Sequence, residues 1–319
     1  MSAESVPTQT TPGAPAPGVA SILRRGPRYG ELIIRTVLFL AALLSVLTTV
    51  GIVASLLEGT LEFFGEVGVG EFLTGTEWSP SFTDPQFGVL PLVGGTLLIT
   101  AIALIVAVPL GIGSAIYLSE YARPRTRKIF KPILELLAGI PTIVFGYFAL
   151  TFFTPLVLRD LLGMEVQIFN ALSAGIIMGF MVLPTIASVS EDAMSAVPGS
   201  LREGAFGLGA SKRQVSTRVV VPAALSGIAA AVILGISRAI GETMIVLVAA
   251  GLQPNLGVDP REAFETMTAF IAAQGKGDVP TGSIEYKTIF AVGTTLFLMT
   301  LAMNALSIRF VRKYRQVYE

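Results

Sequence analysis

Six long runs without a charged residue decide what this chain can fold into: residues 36–57, 85–119, 136–158, 166–190, 219–237 and 288–308. Each is near or above the roughly 18 to 20 residues an α-helix needs to cross a bilayer. A soluble protein with six such helices would have little polar surface left to show to water. Composition agrees: 14% of residues are charged, against about 25% in ordinary soluble domains. The reading is an all-α polytopic membrane protein with spans at about 33–57, 92–119, 134–158, 168–190, 219–251 and 287–308.

Absent residue types narrow the chemistry. The chain has no Cys and no His, so disulfides, thiolate catalysis and the commonest metal ligand are all excluded. No carboxylate cluster suggests a metal site. No Ser or Asp sits in a recognisable nucleophile motif, and the expectation is a chain that is not an enzyme.

Charge along the chain sets its orientation, because Lys and Arg collect on the cytoplasmic side of short loops. Arg24, Arg25, Arg28 and Arg35 precede the first span. The next segment carries Glu58, Glu62, Glu66, Glu71, Glu77 and Asp84 and reads as external. Arg123, Arg125, Arg127, Lys128 and Lys131 mark an internal loop, and Arg159 with Asp160 and Glu165 an external one. Arg202, Lys212, Arg213 and Arg218 are internal again. From 253 to 287, Asp259, Glu262, Glu265, Asp278 and Glu285 outnumber Arg261, Lys276 and Lys287, so that loop reads as external. Arg309, Arg312, Lys313 and Arg315 close the chain inside. Both termini are expected in the cytoplasm, with the protein in the cell's plasma (inner) membrane.

Residues 1–30 read as a disordered cytoplasmic tail, rich in Pro, Thr, Ala and Ser over the first twenty positions. They do not read as a cleaved signal peptide, since the first apolar run starts late and runs long. Residues 31–319 form the membrane domain. The external segment 59–87, with the sole Trp78, is too long for a tight turn and is expected to fold against the outer membrane surface or a partner.

The internal loop 191–218 is long for a plain connection. Its "VPGSLREGAFGLGAS" has Pro198 and Ser200 to open a helix and Gly209 to end it. Leu201, Ala205 and Leu208 fall at i, i+4 and i+7, one face of a short helix. Such a helix either docks into a groove on another protein or lies on lipid headgroups.

Span five carries "SRAIGETM", with Arg238 and Glu242 one turn apart. In a continuous helix Arg238 would lie roughly 24 Å above Pro222, deep in the bilayer core. A lone Arg there costs at least about 2.5 kcal/mol, so it faces protein or water. Glu242 at i+4 is within reach of an ion pair. Two readings stand: an anion pathway, where a guanidinium grips an oxyanion through parallel hydrogen bonds, or a structural ion pair. Thr243 offers a hydroxyl beside them. If the oxyanion keeps a proton near neutral pH, Glu242 accepts that proton's hydrogen bond and repels an oxyanion that carries none.

Glu203, Ala205 and Gly209, followed nine residues later by Val219-Val220-Val221-Pro222, resemble the EAA loop of bacterial ABC-importer permeases, with Gly204 in place of the usual middle Ala. "GIGSAIYLSEYA", "AGIPTIVFGYF" and "SRAIGETM" extend the resemblance to PstC-type permease subunits of phosphate importers, over about residues 30–318. The resemblance implies a six-transmembrane-helix type I ABC-importer permease of MetI-like fold with a cytoplasmic coupling helix. It implies a heterodimer with a second permease of PstA type, two copies of an ATPase of PstB type, and a phosphate-binding protein of PstS type. Glu203 and Gly209 are then ATPase-contacting or loop-shaping residues, with Leu201, Ala205 and Leu208 on the coupling face. The chain has no G-x-x-x-x-G-K-[ST] phosphate loop, so ATP and Mg belong to the ATPase and no cofactor is expected here. Lipid is the other expected contact, and nucleic acid is not. The rival readings are a permease for molybdate or sulfate and a stand-alone anion carrier.

Overall fold

The computed structural model describes residues 29–277 and 279–314; residues 1–28 of the expected N-terminal tail, with Arg24, Arg25 and Arg28, and Arg315 lie outside them, while Tyr29 and Gly30, also expected in the tail, open a helix. The chain divides into two units, Met1–Ala54 and Ser55–Glu319. The described part of the first is the opening of helix α1 (Tyr29–Phe64), where Leu38, Phe39 and Leu44 are exposed as lipid-facing residues should be.

The second unit continues from α1 into α2 (Val69–Thr74) and a two-stranded antiparallel ribbon, β1 (Trp78–Ser79) with β2 (Gln86–Phe87). Then come α3 (Leu90–Ile116), ending in a π-helical turn at Tyr117–Tyr121, α4 (Pro124–Ala138), and α5 (Thr142–Phe148), continuing π-helical over Ala149–Leu161. Next are α6 (Ala171–Ser195), α7 (Gly199–Gly207), α8 (Lys212–Val215), a π-helical stretch Ser216–Val220 and α9 (Val221–Ala223). The chain ends with α10 (Leu225–Ile240), α11 (Met244–Ala249), α12 (Met267–Gln274) and α13 (Ile284–Tyr314).

Among the described residues, five helical stretches are long and apolar enough to cross a membrane; Lys212–Ala223 with Leu225–Ile240, bent by 70°, makes a sixth if counted as one. Two spans differ from the hydropathy reading. The third is interrupted: α4 stops at Ala138 and the helix resumes at Thr142, because Pro141 has no N–H to continue the ladder. The fifth bends at Ala224 and breaks again at residues 241–243. The climb toward Arg238 therefore starts at Leu225, not at Pro222.

α6 is the most enclosed span. Asn170 starts it: its backbone is extended and its Oδ1 accepts the Ser173 N–H at 2.7 Å, satisfying one orphan donor. α6 lies along α3 at backbone range. A Cβ on Gly179 would sit 2.8 Å from the Ala103 carbonyl oxygen, so only glycine permits this approach. Ile99, Ala103, Ala174, Met178 and Ile186 fill the seam. With no hydrophobic drive between helices in lipid, such close packing is what locks α3 to α6.

The segment after α1 packs on its own chain. Phe63, Phe72, Trp78 and Phe87 form edge-to-face ring contacts that reach Phe270 of α12, and Ala291 and Val292 of α13 complete the cluster.

Candidate functional site

Charged side chains gather at two levels of the second unit: at the break in span five, and where Arg127 meets Glu191 and Arg202 meets Glu120, here the basic end.

At the break, Gly241 takes the chain out of α10 and residues 241–243 are not helical. Breaking a helix leaves orphan N–H and C=O groups, and several find partners here. The Glu242 Oε1 accepts the N–H of Met244 at 3.0 Å and of Ile245 at 3.2 Å, capping α11. The Glu242 carbonyl accepts the Thr268 hydroxyl at 2.6 Å. Thr268 comes from the loop expected to be external, part of which packs into the interior of the chain. Residues 263–270 are all buried. The Met267 N–H reaches the Thr96 Oγ1 at 3.1 Å, the Thr266 Oγ1 caps α12 through the Ala269 N–H at 3.1 Å, and the Glu265 carbonyl comes so close to Gly95 that no Cβ would fit there.

The expected Arg238–Glu242 ion pair is not formed. Arg238 Nη1 donates to the Thr185 Oγ1 of α6 at 3.1 Å, while Glu242 is committed to the backbone of α11. The i, i+4 rule holds only along an unbroken helix, and this one ends between the two residues. Thr243 makes a long bond of 3.4 Å to the Gly241 carbonyl. Arg238 is half-buried, and Thr185 is its one hydrogen-bond partner among the described residues. A guanidinium carries five N–H donors, so most of those on Arg238 remain available.

Glu265, read from sequence only as one more anion of an acidic loop, is 6% exposed. Its carboxyl has no hydrogen-bond partner among the described residues. Burial pushes it up to about 7. The signal that could have found it is its flank: Ala263, Phe264 and Met267 are too apolar for an exposed turn.

At the basic end, α7 occupies the predicted loop. Leu201 and Ala205 pack inward on the cluster of Met194, Val197 and Val215. Leu208 does not share that face: α7 ends at Gly207, and Leu208, at the C-cap, is 91% exposed. Glu203 is exposed too. Gly209 has φ +81°, a left-handed conformation that favours glycine; its N–H bonds the Phe206 carbonyl and the Ala210 N–H bonds the Ala205 carbonyl, closing the helix end.

Ion pairs tie these elements together. Glu191 of α6, 1% exposed at its side chain, receives Arg127 and Lys131 of α4, and Lys131 also pairs with Asp192 at 2.6 Å. The bonds to Asp192 and then to Glu191 raise the Lys131 pKa. Arg202 of α7 reaches Glu120 at 3.0 Å. At the opposite, acidic end, an open cavity of about 730 Å³ is lined by Arg159, Glu165, Gln167, Asp259, Arg261 and Glu262. Arg159 is spent on its own loop, donating Nε and Nη2 to the Val166 carbonyl. Among the described residues no group of His, Cys, Asp or Glu is arranged to hold a metal ion.

Known proteins resemble this arrangement. The family model described as "Binding-protein-dependent transport system inner membrane component" matches residues 107–316. A Bacillus subtilis (strain 168) protein, "Probable ABC transporter permease protein YqgH", is 35% identical over 297 residues, covering 92% of this chain and 94% of its own. "Phosphate transport system permease protein PstC" of Haemophilus influenzae is 34% identical over 294 residues, covering 87% and 91%. In fold, a crystal structure of a bacterial ABC transporter involved in the import of the acidic polysaccharide alginate matches with a TM-score of 0.63 at 18% identity, covering 91% of this chain and 100% of the other.

Proposed function

This chain belongs to the family of binding-protein-dependent transport system inner membrane components, and from that membership we propose that it is one permease half of an ATP-driven phosphate importer. The observation that carries the substrate is the 34% identity to a phosphate transport permease over most of both chains. The half-buried Arg238, with one bond to Thr185, supports it from the geometry.

The basic end faces the cytoplasm, and both chain termini lie there, following the loop charges. A second permease of PstA type completes the pathway. Two ATPase subunits of PstB type bind ATP and Mg and dock beneath α7, where Glu203 and Leu208 are exposed and Gly209 sets the loop. A binding protein of PstS type delivers phosphate at the acidic end. ATP closes the ATPase pair, α7 moves, and the bundle exchanges outward and inward access. This chain performs no covalent step.

On the pathway, Arg238 offers parallel N–H donors to two phosphate oxygens. Glu242 holds the break open as the cap of α11 and keeps its second carboxylate oxygen for the proton that phosphate retains and sulfate lacks. Thr243 stands beside it with a hydroxyl held only by a long bond.

The test is labelled-phosphate uptake into proteoliposomes holding the complete complex, with and without ATP at the ATPase face, and with excess sulfate or molybdate as competitor. ATP-dependent uptake that resists both competitors is expected. Uptake abolished by sulfate or molybdate would reassign the substrate among the oxyanions.

A further inference from the structure

Coupling in a transporter driven by a separate motor needs a stiff connection between the docking helix and the spans. Residues 196–198 join α6 to α7 and cannot supply it alone, since a short peptide link bends at its soft dihedrals. Arg202 supplies a second connection. Its Nη1 donates to the Val197 carbonyl at 2.6 Å; its Nη2 donates to the Met194 carbonyl at 2.8 Å and to Glu120 Oε1 at 3.0 Å. One planar group thus holds the end of α6 and the end of α3 at once.

The acceptors suit it. The Met194 carbonyl lies in the last turn of α6, at the negative end of the helix dipole, and accepts the guanidinium beside the Val197 N–H at 3.2 Å; the Val197 carbonyl lies in the link beyond that turn. Glu120 is 7% exposed at its side chain and Arg202 22%, so their attraction is screened less than at a surface. Ser119 Oγ donates to the same Glu120 oxygen at 3.0 Å. Glu120 lies in the π-helical turn that ends α3, and such turns occur frequently at functional sites. Beyond it, α3 and α6 are locked by their glycine-mediated seam. A displacement of α7 through Arg202 therefore enters both spans together.

We propose that Arg202 is the positioning residue that transmits motion of α7 into the α3–α6 pair, with Glu120 as its anchor on α3. The inference rests on the transport reading above. It differs from the contact with the ATPase itself, which involves the outer side of α7. Arg202 turns inward, acts through other residues, and touches neither substrate nor nucleotide.

The experiment uses the complete complex in proteoliposomes, with ATP hydrolysis and phosphate uptake measured on the same vesicles. Arg202→Ala is expected to assemble and hydrolyse ATP within about twofold of wild type while raising the ATP spent per phosphate by roughly three- to thirtyfold. Arg202→Lys, which keeps the charge but not the fork, recovers only part. Glu120→Gln keeps the carbonyl bonds of Arg202 and tests the anchor separately if Arg202→Ala fails to assemble. Adding Glu120→Gln to Arg202→Ala should change little further, as expected for two residues in one link. An unchanged ratio in both single variants overturns the proposal.

A substrate-independent readout separates this outcome from failure of the transport reading. The chain has no native cysteine, so when it is labelled before assembly with its partners, spin labels at Ser200→Cys on α7 and Tyr117→Cys at the end of α3 are the only ones in the complex. Their distance distribution should stay narrow and unchanged on ATP addition in the otherwise wild-type complex, and should broaden with Arg202→Ala. A narrow distribution that survives Arg202→Ala overturns the link, whatever the substrate proves to be.

Discussion

The two charged regions of this molecule treat charge in opposite ways. At the basic end, charges pair with one another: Arg202 with Glu120, and Arg127 and Lys131 with Glu191. At the break in span five they do not. Arg238 bonds a threonine, Glu242 caps a helix, and Glu265 is buried with no hydrogen-bond partner among the described residues. Mutually paired charges make a rigid block, which a site receiving mechanical force needs. A cation left with spare donors makes a place for an anion. The contrast teaches that the same residue types are paired among themselves in one region and left with spare donors in the other, which is the basis of the coupling and recognition roles proposed above.

The sharpest way to break this contrast is Arg238→Gln. Charge-assisted hydrogen bonds to substrate are worth about 1.5–3 kcal/mol, so uptake should fall roughly ten- to hundredfold while the complex assembles normally. Full uptake would make Arg238 a structural partner of Thr185 and nothing more.

Glu265→Gln tests the buried carboxyl of the region. The native carboxyl titrates at about 7, above its ordinary value of 4.5. The folded state therefore holds a proton that the unfolded chain has lost, and stability is full below the ordinary value and falls as pH rises through 7. The Gln variant removes that loss. Its thermal unfolding in detergent should match wild type at pH 5 and exceed it at pH 8, by on the order of 3 kcal/mol. Equal pH dependence in both proteins would mean that another group titrates.

Glu191→Ala should destabilise the purified complex by about 2 kcal/mol, below the range for fully buried pairs because Arg127 and Lys131 reach solvent. Glu242→Ala should cost about 1 kcal/mol, the value of a helix cap, and Glu242→Gln almost nothing, since its amide oxygen still caps α11. If Glu242→Ala proved the costlier, charge at the break would be structural after all. Thermal unfolding of the four proteins side by side checks the order.

The presence of five or six spans and of a short helix, α7, between residues 191 and 218 was legible in the sequence because both depend on local rules: absence of charge, loop basicity, and a Gly209 where a left-handed residue is required. The breaks were not. Hydropathy reports where a helix can lie in lipid, but whether it continues depends on who satisfies the freed backbone groups. For span five those partners are Glu242 itself and Thr268, 26 positions away. The inward fold of residues 263–270 escaped for the same reason, since Thr96 and Gly95 of α3 receive it. Leu208 was grouped with Leu201 and Ala205 because the helix was extended one residue beyond Gly207; those two pack inward on their own chain and Leu208 is exposed.

The most direct test of the account is phosphate accumulation by this chain with its partner permease and binding protein, reconstituted with and without the ATPase subunits. The account predicts accumulation against a gradient only when the ATPase is present and ATP is at its face. Accumulation of phosphate by the membrane subunits alone would contradict it.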